Sequence, residues 1–156
     1  MSGVRVRHAT PADIPAMSRV LIASITELCG ADHGGDPTLI ADWTANKTPE
    51  SVARWFDSPD NTLYVAERLG EVAAVGSTGP GGEIRVNYVA PTHRFTGVSR
   101  TLLAAMEEAL RRQGLAEARL HSTRTAHSFY LARGWEDAGE LDLSGRVPGF
   151  PMRKRL

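Results

Sequence analysis

The sequence predicts an α/β domain with a mixed, mostly antiparallel central sheet flanked by helices, in the order β-α-α-βββ-α-β-α-β. Three observations carry that prediction. Val98, Leu102, Met106, Ala109 and Leu110 recur at three- and four-residue steps, which makes one face of a long helix apolar and suits it to lie on a sheet. Ahead of that helix, short runs rich in Val, Ile, Tyr and Thr are separated by glycine-bearing turns, as antiparallel strands are. A chain of 156 residues, 42% hydrophobic and 23% charged, is long enough for one core and short for two, so residues 1–156 are read as a single domain.

Taken in order, Val4 to Ala9 alternates apolar and polar side chains, as a half-buried first strand does. Thr10-Pro-Ala-Asp13 supplies an N-cap, a first-turn proline and an acid three residues after the cap. Ile14, Met17, Leu21, Ile25 and Leu28 then continue as the stripe of a helix of about five turns. Between Cys29 and Asp36 three glycines break the helix into a polar loop. Pro37 to Asn46 reads as a short helix, and Thr48-Pro49-Glu50 caps another that runs through Val52, Trp55 and Phe56, the two aromatics serving as core anchors. Thr62–Glu67 and Val72–Gly76 flank a hairpin turn at Arg68-Leu-Gly-Glu71, and Gly79-Pro-Gly-Gly82 turns the chain into a strand over Glu83–Val89. After the long helix come a short strand at Ala118–Ser122, a helix around Phe129-Tyr130, and weaker strand signals near Leu141 and Met152-Arg153. On the long helix, Glu107/Arg111 and Glu108/Arg112 have the i,i+4 spacing of solvent-facing ion pairs.

Charge and composition narrow the function. Lys plus Arg and Asp plus Glu balance at 18 each, against a protein that coats nucleic acid. No apolar run is long enough for a membrane span and no apolar signal core is visible near Met1, so a cytoplasmic setting away from membranes is expected. The single cysteine, Cys29, cannot form an internal disulfide, and no Cys/His cluster has metal-ligand spacing, so no metal is expected.

The chemistry points to residues 88–99. A strand ends at Tyr88-Val89, a short polar loop follows, and a long helix begins at Val98. Helix N-termini carry N–H groups without intrahelical partners and the positive end of the macrodipole, so an anion binds there readily. Gly97 lets the backbone approach such an anion, small Ser99 crowds against it without blocking it, and Arg94 adds positive charge.

The pattern Val89-x-Pro91-x-x-Arg94-x-x-Gly97-x-Ser99 resembles the acetyl-CoA-binding motif of the GNAT superfamily of N-acetyltransferases, whose core reads Arg/Gln-x-x-Gly-x-Gly/Ala. Ser99 departs from the last position. Further on, Ala126-His-Ser-Phe-Tyr130-Leu-Ala-Arg-Gly134-Trp135 resembles the family's second signature, Ala-x-x-Phe-Tyr-x-x-x-Gly-Phe, with Thr123 where an Asn is usual. With the matching element order, the resemblance covers nearly the whole chain.

The resemblance implies transfer of an acetyl group from acetyl-CoA, the donor substrate, to an amine in a ternary complex. Arg94, Phe95, Thr96, Gly97, Val98 and Ser99 would cradle the pyrophosphate, Tyr88 and Val89 would pair with the pantetheine arm, and Thr123 and Phe129 would add contacts from the second motif. The main-chain N–H of Asn87 would face the developing oxyanion, and its side chain is a candidate to touch the acceptor. Tyr130 matches the family's general acid. Glu83 is a candidate base acting through water, with Glu67, His33, His121 and water alone as rivals.

The acceptor region of the family falls between the first two strands, which here offers Cys29, Asp32, His33, Trp43 and Asn46. Direct transfer needs no nucleophile, so Cys29 is read as a pocket wall and not as a catalytic thiol. The neutral balance and short polar loop favour a small-molecule amine. A non-catalytic acyl-CoA sensor and acetylation of a protein or other macromolecular amine are the alternatives. Domains of this type often pair, so a homodimer is a further expectation.

Overall fold

The structure, a computed structural model, describes residues 3–156. Its strands are β1 (Val4–His8), β2 (Thr62–Arg68), β3 (Glu71–Gly79), β4 (Glu83–Val89), β5 (Glu117–Ser122), β6 (Glu136–Asp137) and β7 (Phe150–Arg155). The helices are α1 (Ile14–Leu28), α2 (Gly30–His33), α3 (Pro37–Thr44), α4 (Pro49–Asp57), α5 (Val98–Arg112) and α6 (His127–Ala132). The strands form one sheet in the order β1-β2-β3-β4-β5-β7-β6. Neighbours run antiparallel except β4 and β5, which are parallel and meet only at Glu83 and Arg119.

Strand alternation divides the core into two layers. Leu63, Val65 and Val75 face α1 and α4 and pack with Met17, Leu21 and Val52. Tyr64, Ala66 and Ala74 face the other way, onto Leu102, Leu103, Met106 and Leu110 of α5. Each fully buried Val, Leu or Met side chain among them contributes about 1.5–3 kcal/mol relative to exposure.

The helix starts follow their caps. Asp13 accepts from the Thr10 N–H at 2.7 Å and is gripped by two guanidinium nitrogens of Arg7, each at 2.8 Å, which ties β1 to the start of α1. Asp36 accepts from Thr38 and Leu39 at the head of α3, and Thr48 accepts from Ser51 at the head of α4.

Several details differ from the sequence expectations. α1 is 15 residues long, about four turns, because a short tight turn at Pro11–Asp13 precedes it. The loop expected over 29–36 is largely a turn of helix, α2, ended by Gly34 in the left-handed conformation. Around Leu141 there is no strand, only a bridge between Asp142 and Gly149. Glu107 does not pair with Arg111. It is buried, accepting from Trp135 Nε1 at 3.0 Å and Lys154 Nζ at 2.7 Å, while exposed Glu108 takes both Arg111 and Arg112. A buried carboxylate is stable only when so satisfied, and the two donors come from elements far along the chain.

One irregularity positions the site. Ser77 pairs with Val86 but Thr78 pairs with Ile84, so Arg85 is an extra, bulged residue in β4. Without the bulge Ile84, Val86 and Tyr88 would share a face. Instead Ile84 joins the α5 layer while Val86 and Tyr88 turn toward α1 and α4.

Candidate active site

The site lies where β4 and β5 part. At the pivot, Gly82 lets the two strands close on each other, since a Cβ there would sit 2.4 Å from the Glu117 carbonyl oxygen. Beyond the Glu83–Arg119 pair the strands diverge, and a cavity of about 600 Å³ opens between them, reaching from the head of α5 to the end of α1.

The backbone lining that cavity carries free hydrogen-bonding groups. Ala90 N–H donates to Ala73 O at 2.8 Å, toward β3. Strand residues alternate, so the N–H and C=O groups of Val89 and Asn87 point the other way, into the gap. An extended amide-bearing arm can pair there as β5 would have.

At the far end, Gly97 takes φ 86° and opens α5. Among the described residues, the N–H groups of Phe95 to Arg100 have no acceptor, while Thr101 N–H already bonds Gly97 O. A Cβ on Gly97 would meet nothing within 4 Å, so the main chain there is open to a ligand. Phe95 also adopts positive φ, 64°, and is 91% exposed, with the Arg94 guanidinium 4.6 Å from its ring centre. The loop is held from behind by Thr96 Oγ1 donating to His93 O, and by buried His93, 3.2 Å from Glu71. An unsatisfied row of N–H groups at a helix head, beside a guanidinium and a deep cleft, fits the pyrophosphate and pantetheine of acetyl-CoA.

Deeper in the cleft, Asn87 Nδ2 donates to the Tyr130 hydroxyl oxygen at 2.8 Å. Tyr130 is 5% exposed, and burial pushes its hydroxyl up to about 12, against the opposing pull of the Asn87 hydrogen bond. Its oxygen therefore accepts from Asn87 and keeps its own proton to donate. Phe129 and Trp135 hold the ring with edge-to-face contacts at 5.3 and 5.8 Å. Thr123 lines the cleft and its Oγ1 accepts from Ala126 N–H at 3.1 Å, capping the approach to α6.

The cleft thus gathers Asn87, Tyr88, Val89, Arg94, Phe95, Gly97, Val98, Ser99, Thr123, Phe129, Tyr130 and Cys29. Thr96 backs the loop. Cys29 is buried, and burial with the nearby Asp32 charge pushes its thiol up to about 12, so it is a wall of low reactivity.

Other residues expected at the site lie elsewhere. Glu83 sits at the pivot, outside the cleft, in an ion pair with Arg85 at 3.2 Å. His33 is a buried clasp, with Nε2 2.8 Å from Ile25 O and Nδ1 accepting from Gly35 N–H at 3.0 Å, which leaves no ring nitrogen for a substrate. Asp32 accepts from the N–H groups of Arg124 and Thr125 at 2.6 and 3.1 Å and so anchors the β5–α6 loop to α2. Trp43 is buried against Ile25 and Cys29, with Tyr88 and Val147 packed on that cluster, a wall behind the cleft. Asn46 lines a second cavity of about 350 Å³ behind β4, together with Lys47, Asn61 and Arg85. Sequence reasoning missed Lys47 and Arg85. Nothing in the spacing marks a lysine at the end of a short helix as buried, and only a strand bulge turns Arg85 into the cavity. No cluster of His, Cys, Asp and Glu suited to a metal occurs among the described residues, and no helix there is long and apolar enough to cross a membrane.

Residues 24–156 match the family described as acetyltransferase (GNAT) domain, so the chain belongs to the GNAT acetyltransferases, a family that uses acetyl-CoA. A comparison with curated proteins found no match. Among solved structures, a GCN5-related N-acetyltransferase from Rhodopseudomonas palustris superposes with TM-score 0.88 at 21% identity, covering 100% of this chain and 98% of that one. PaiA N-acetyltransferase from Thermoplasma acidophilum, in complex with coenzyme A, gives 0.79 at 18%, covering 98% and 99%. A ribosomal-protein-alanine N-acetyltransferase from Brucella melitensis gives 0.71 at 23%, covering 97% and 99%. At these identities the structural likeness speaks for the fold.

Proposed function

We propose that the protein transfers the acetyl group of acetyl-CoA directly to the amine of a small acceptor within a ternary complex. The observation that carries this reading is the single cleft joining free N–H groups at the head of α5, outward-facing amides of Asn87 and Val89, and the proton-bearing Tyr130 hydroxyl.

The roles follow from that geometry. The Phe95–Arg100 amides and Arg94 bind the pyrophosphate, and Val89 pairs with the pantetheine amides. Asn87 N–H faces the thioester oxygen as charge develops on it. The acceptor ammonium first loses a proton to water; Glu83 stands outside the cleft, and His121, which lines it, is the rival base. The amine then forms the C–N bond as the C–S bond breaks, its nitrogen releases the surplus proton to water, and the departing thiolate takes the Tyr130 proton, which solvent restores.

Calorimetric titration with acetyl-CoA, beside Gly97→Glu, tests donor binding. The substitution places a carboxylate where the pyrophosphate lies and strains a residue at positive φ, so affinity falls at least about 100-fold. A screen of amines for CoA release, run with wild type and Tyr130→Phe, tests transfer, and the variant loses about 100-fold in kcat. Binding without turnover of any amine would reassign the domain to acyl-CoA sensing or to a macromolecular acceptor.

A further inference from the structure

The cavity behind β4 has a chemistry of its own. It shares Arg85, Val86 and Tyr88 with the donor cleft, so it lies against the same stretch of strand where the acetyl group would be delivered. Its polar lining consists of Asn46, Lys47, Asn61, Ser77, Arg85 and Tyr88, with no carboxylate among the lining residues.

Lys47 is the unusual member. It is 8% exposed, and its backbone is pinned by Ser18 Oγ donating to Lys47 O at 2.7 Å. Its ammonium donates to Asn46 Oδ1 and, at 3.4 Å, to Trp43 O, which leaves one of three protons unassigned. No ion pair engages it among the described residues, and the charge that acts on it is the like charge of Arg146, itself held by Asp42. A buried cation with neutral partners alone is costly. Arg85 adds a second positive group, its Nε on Glu83 at 3.2 Å outside the cavity and its Nη1 on Asn61 Oδ1 at 2.8 Å within it. A buried ammonium without a counter-ion among the described residues, beside a guanidinium whose Nη1 reaches the same small cavity, forms a receptor for an anion.

We propose that this cavity seats a carboxylate of the acceptor, so that the substrate is a primary amine carrying a carboxyl group, such as an amino acid. The inference rests on acetyl transfer at the adjoining cleft. With the carboxylate bound by Lys47 and Arg85, the amine reaches the edge of β4, where the Asn87 amide faces the gap. The volume of about 350 Å³ lies at the small end of ligand sites and suits a group the size of a single amino acid.

The test compares glycine, β-alanine, 4-aminobutyrate and L-glutamate with their amides, at saturating acetyl-CoA, for wild type, Lys47→Met and Lys47→Arg. Expected is a kcat/KM at least tenfold higher for the acid than for its amide in the preferred pair. Lys47→Met then raises KM for the acid at least tenfold with kcat nearly kept, changes the amide less than threefold, and Lys47→Arg recovers part of the loss. Equal rates on acids and amides, or equal loss on both in Lys47→Met, overturn the proposal. Should none of these amines turn over, glutarate titrated into the CoA-loaded protein decides: binding weakened tenfold by Lys47→Met upholds the anion site, and absence of binding to wild type overturns it. Failure of acetyl-CoA itself to bind is a separate result that overturns the transferase reading.

Discussion

Tyr130 keeps its proton because its hydroxyl is buried and its oxygen is already occupied by Asn87. With the hydroxyl pushed up to about 12, Tyr130 stays protonated across the working range, so the acid role proposed for it predicts a kcat with no falling limb from Tyr130 between pH 7 and about 10. Asn87→Ala removes the bond that aims the hydroxyl while leaving the main-chain amide in place. A loss of about tenfold in kcat with KM for acetyl-CoA nearly unchanged is expected from steady-state kinetics. The motif residues were readable because they act locally: Gly97 opens its own helix, and Tyr130 follows Phe129 on one turn. Asp32 and His33 were misread as acceptor ligands for the opposite reason. The Asp32 carboxylate is consumed by amides 92 and 93 residues away, and the His33 ring by the end of the helix before it. A polar side chain in a glycine-rich stretch looks free until the fold supplies its partners.

At the scale of elements, α2 matters more than its single turn suggests. Through Asp32 it holds the segment Arg124–Thr125 that leads into α6, and α6 carries Phe129 and Tyr130. Asp32→Ala strands those amides, lowers stability by about 1–3 kcal/mol, and raises KM for acetyl-CoA as the α6 approach loosens. Thermal unfolding and donor titration read the two effects, with Asp32→Asn intermediate because one oxygen remains to accept. Most elements were legible from caps and periodicity, among them α3, α4, α5 and the β2–β3 hairpin. β6 was not, since a two-residue strand has no period, and neither was the bulge at Arg85. The bulge left the alternation of apolar residues in β4 intact while dividing Ile84 from Val86 and Tyr88. Glu83, a candidate base through the family resemblance, stands at the pivot paired with Arg119 and Arg85.

For the whole molecule, Lys47 is a stability cost retained at a cavity. Burial, with Arg146 nearby, lowers its ammonium to about 8, so between pH 8 and its unfolded value near 10 the folded chain binds fewer protons than the unfolded one. The cost is full below pH 8 and fades as pH rises. Lys47→Met is therefore more stable than wild type by about 1–2 kcal/mol at pH 7, and the gap narrows by pH 10; Tm measured at both values checks this.

The parting of β4 from β5 also has a consequence for how the chain assembles. Every strand on one side of it is complete by residue 89, and every strand on the other begins at residue 117 or later. β2, β3 and β4 are joined by short turns, so their closure costs little loop entropy. The later strands meet the earlier ones at a single register pair, and α5 covers the apolar layer that the two parts share. The opening proposed for the donor is thus also the boundary between the strands synthesised before α5 and those synthesised after it.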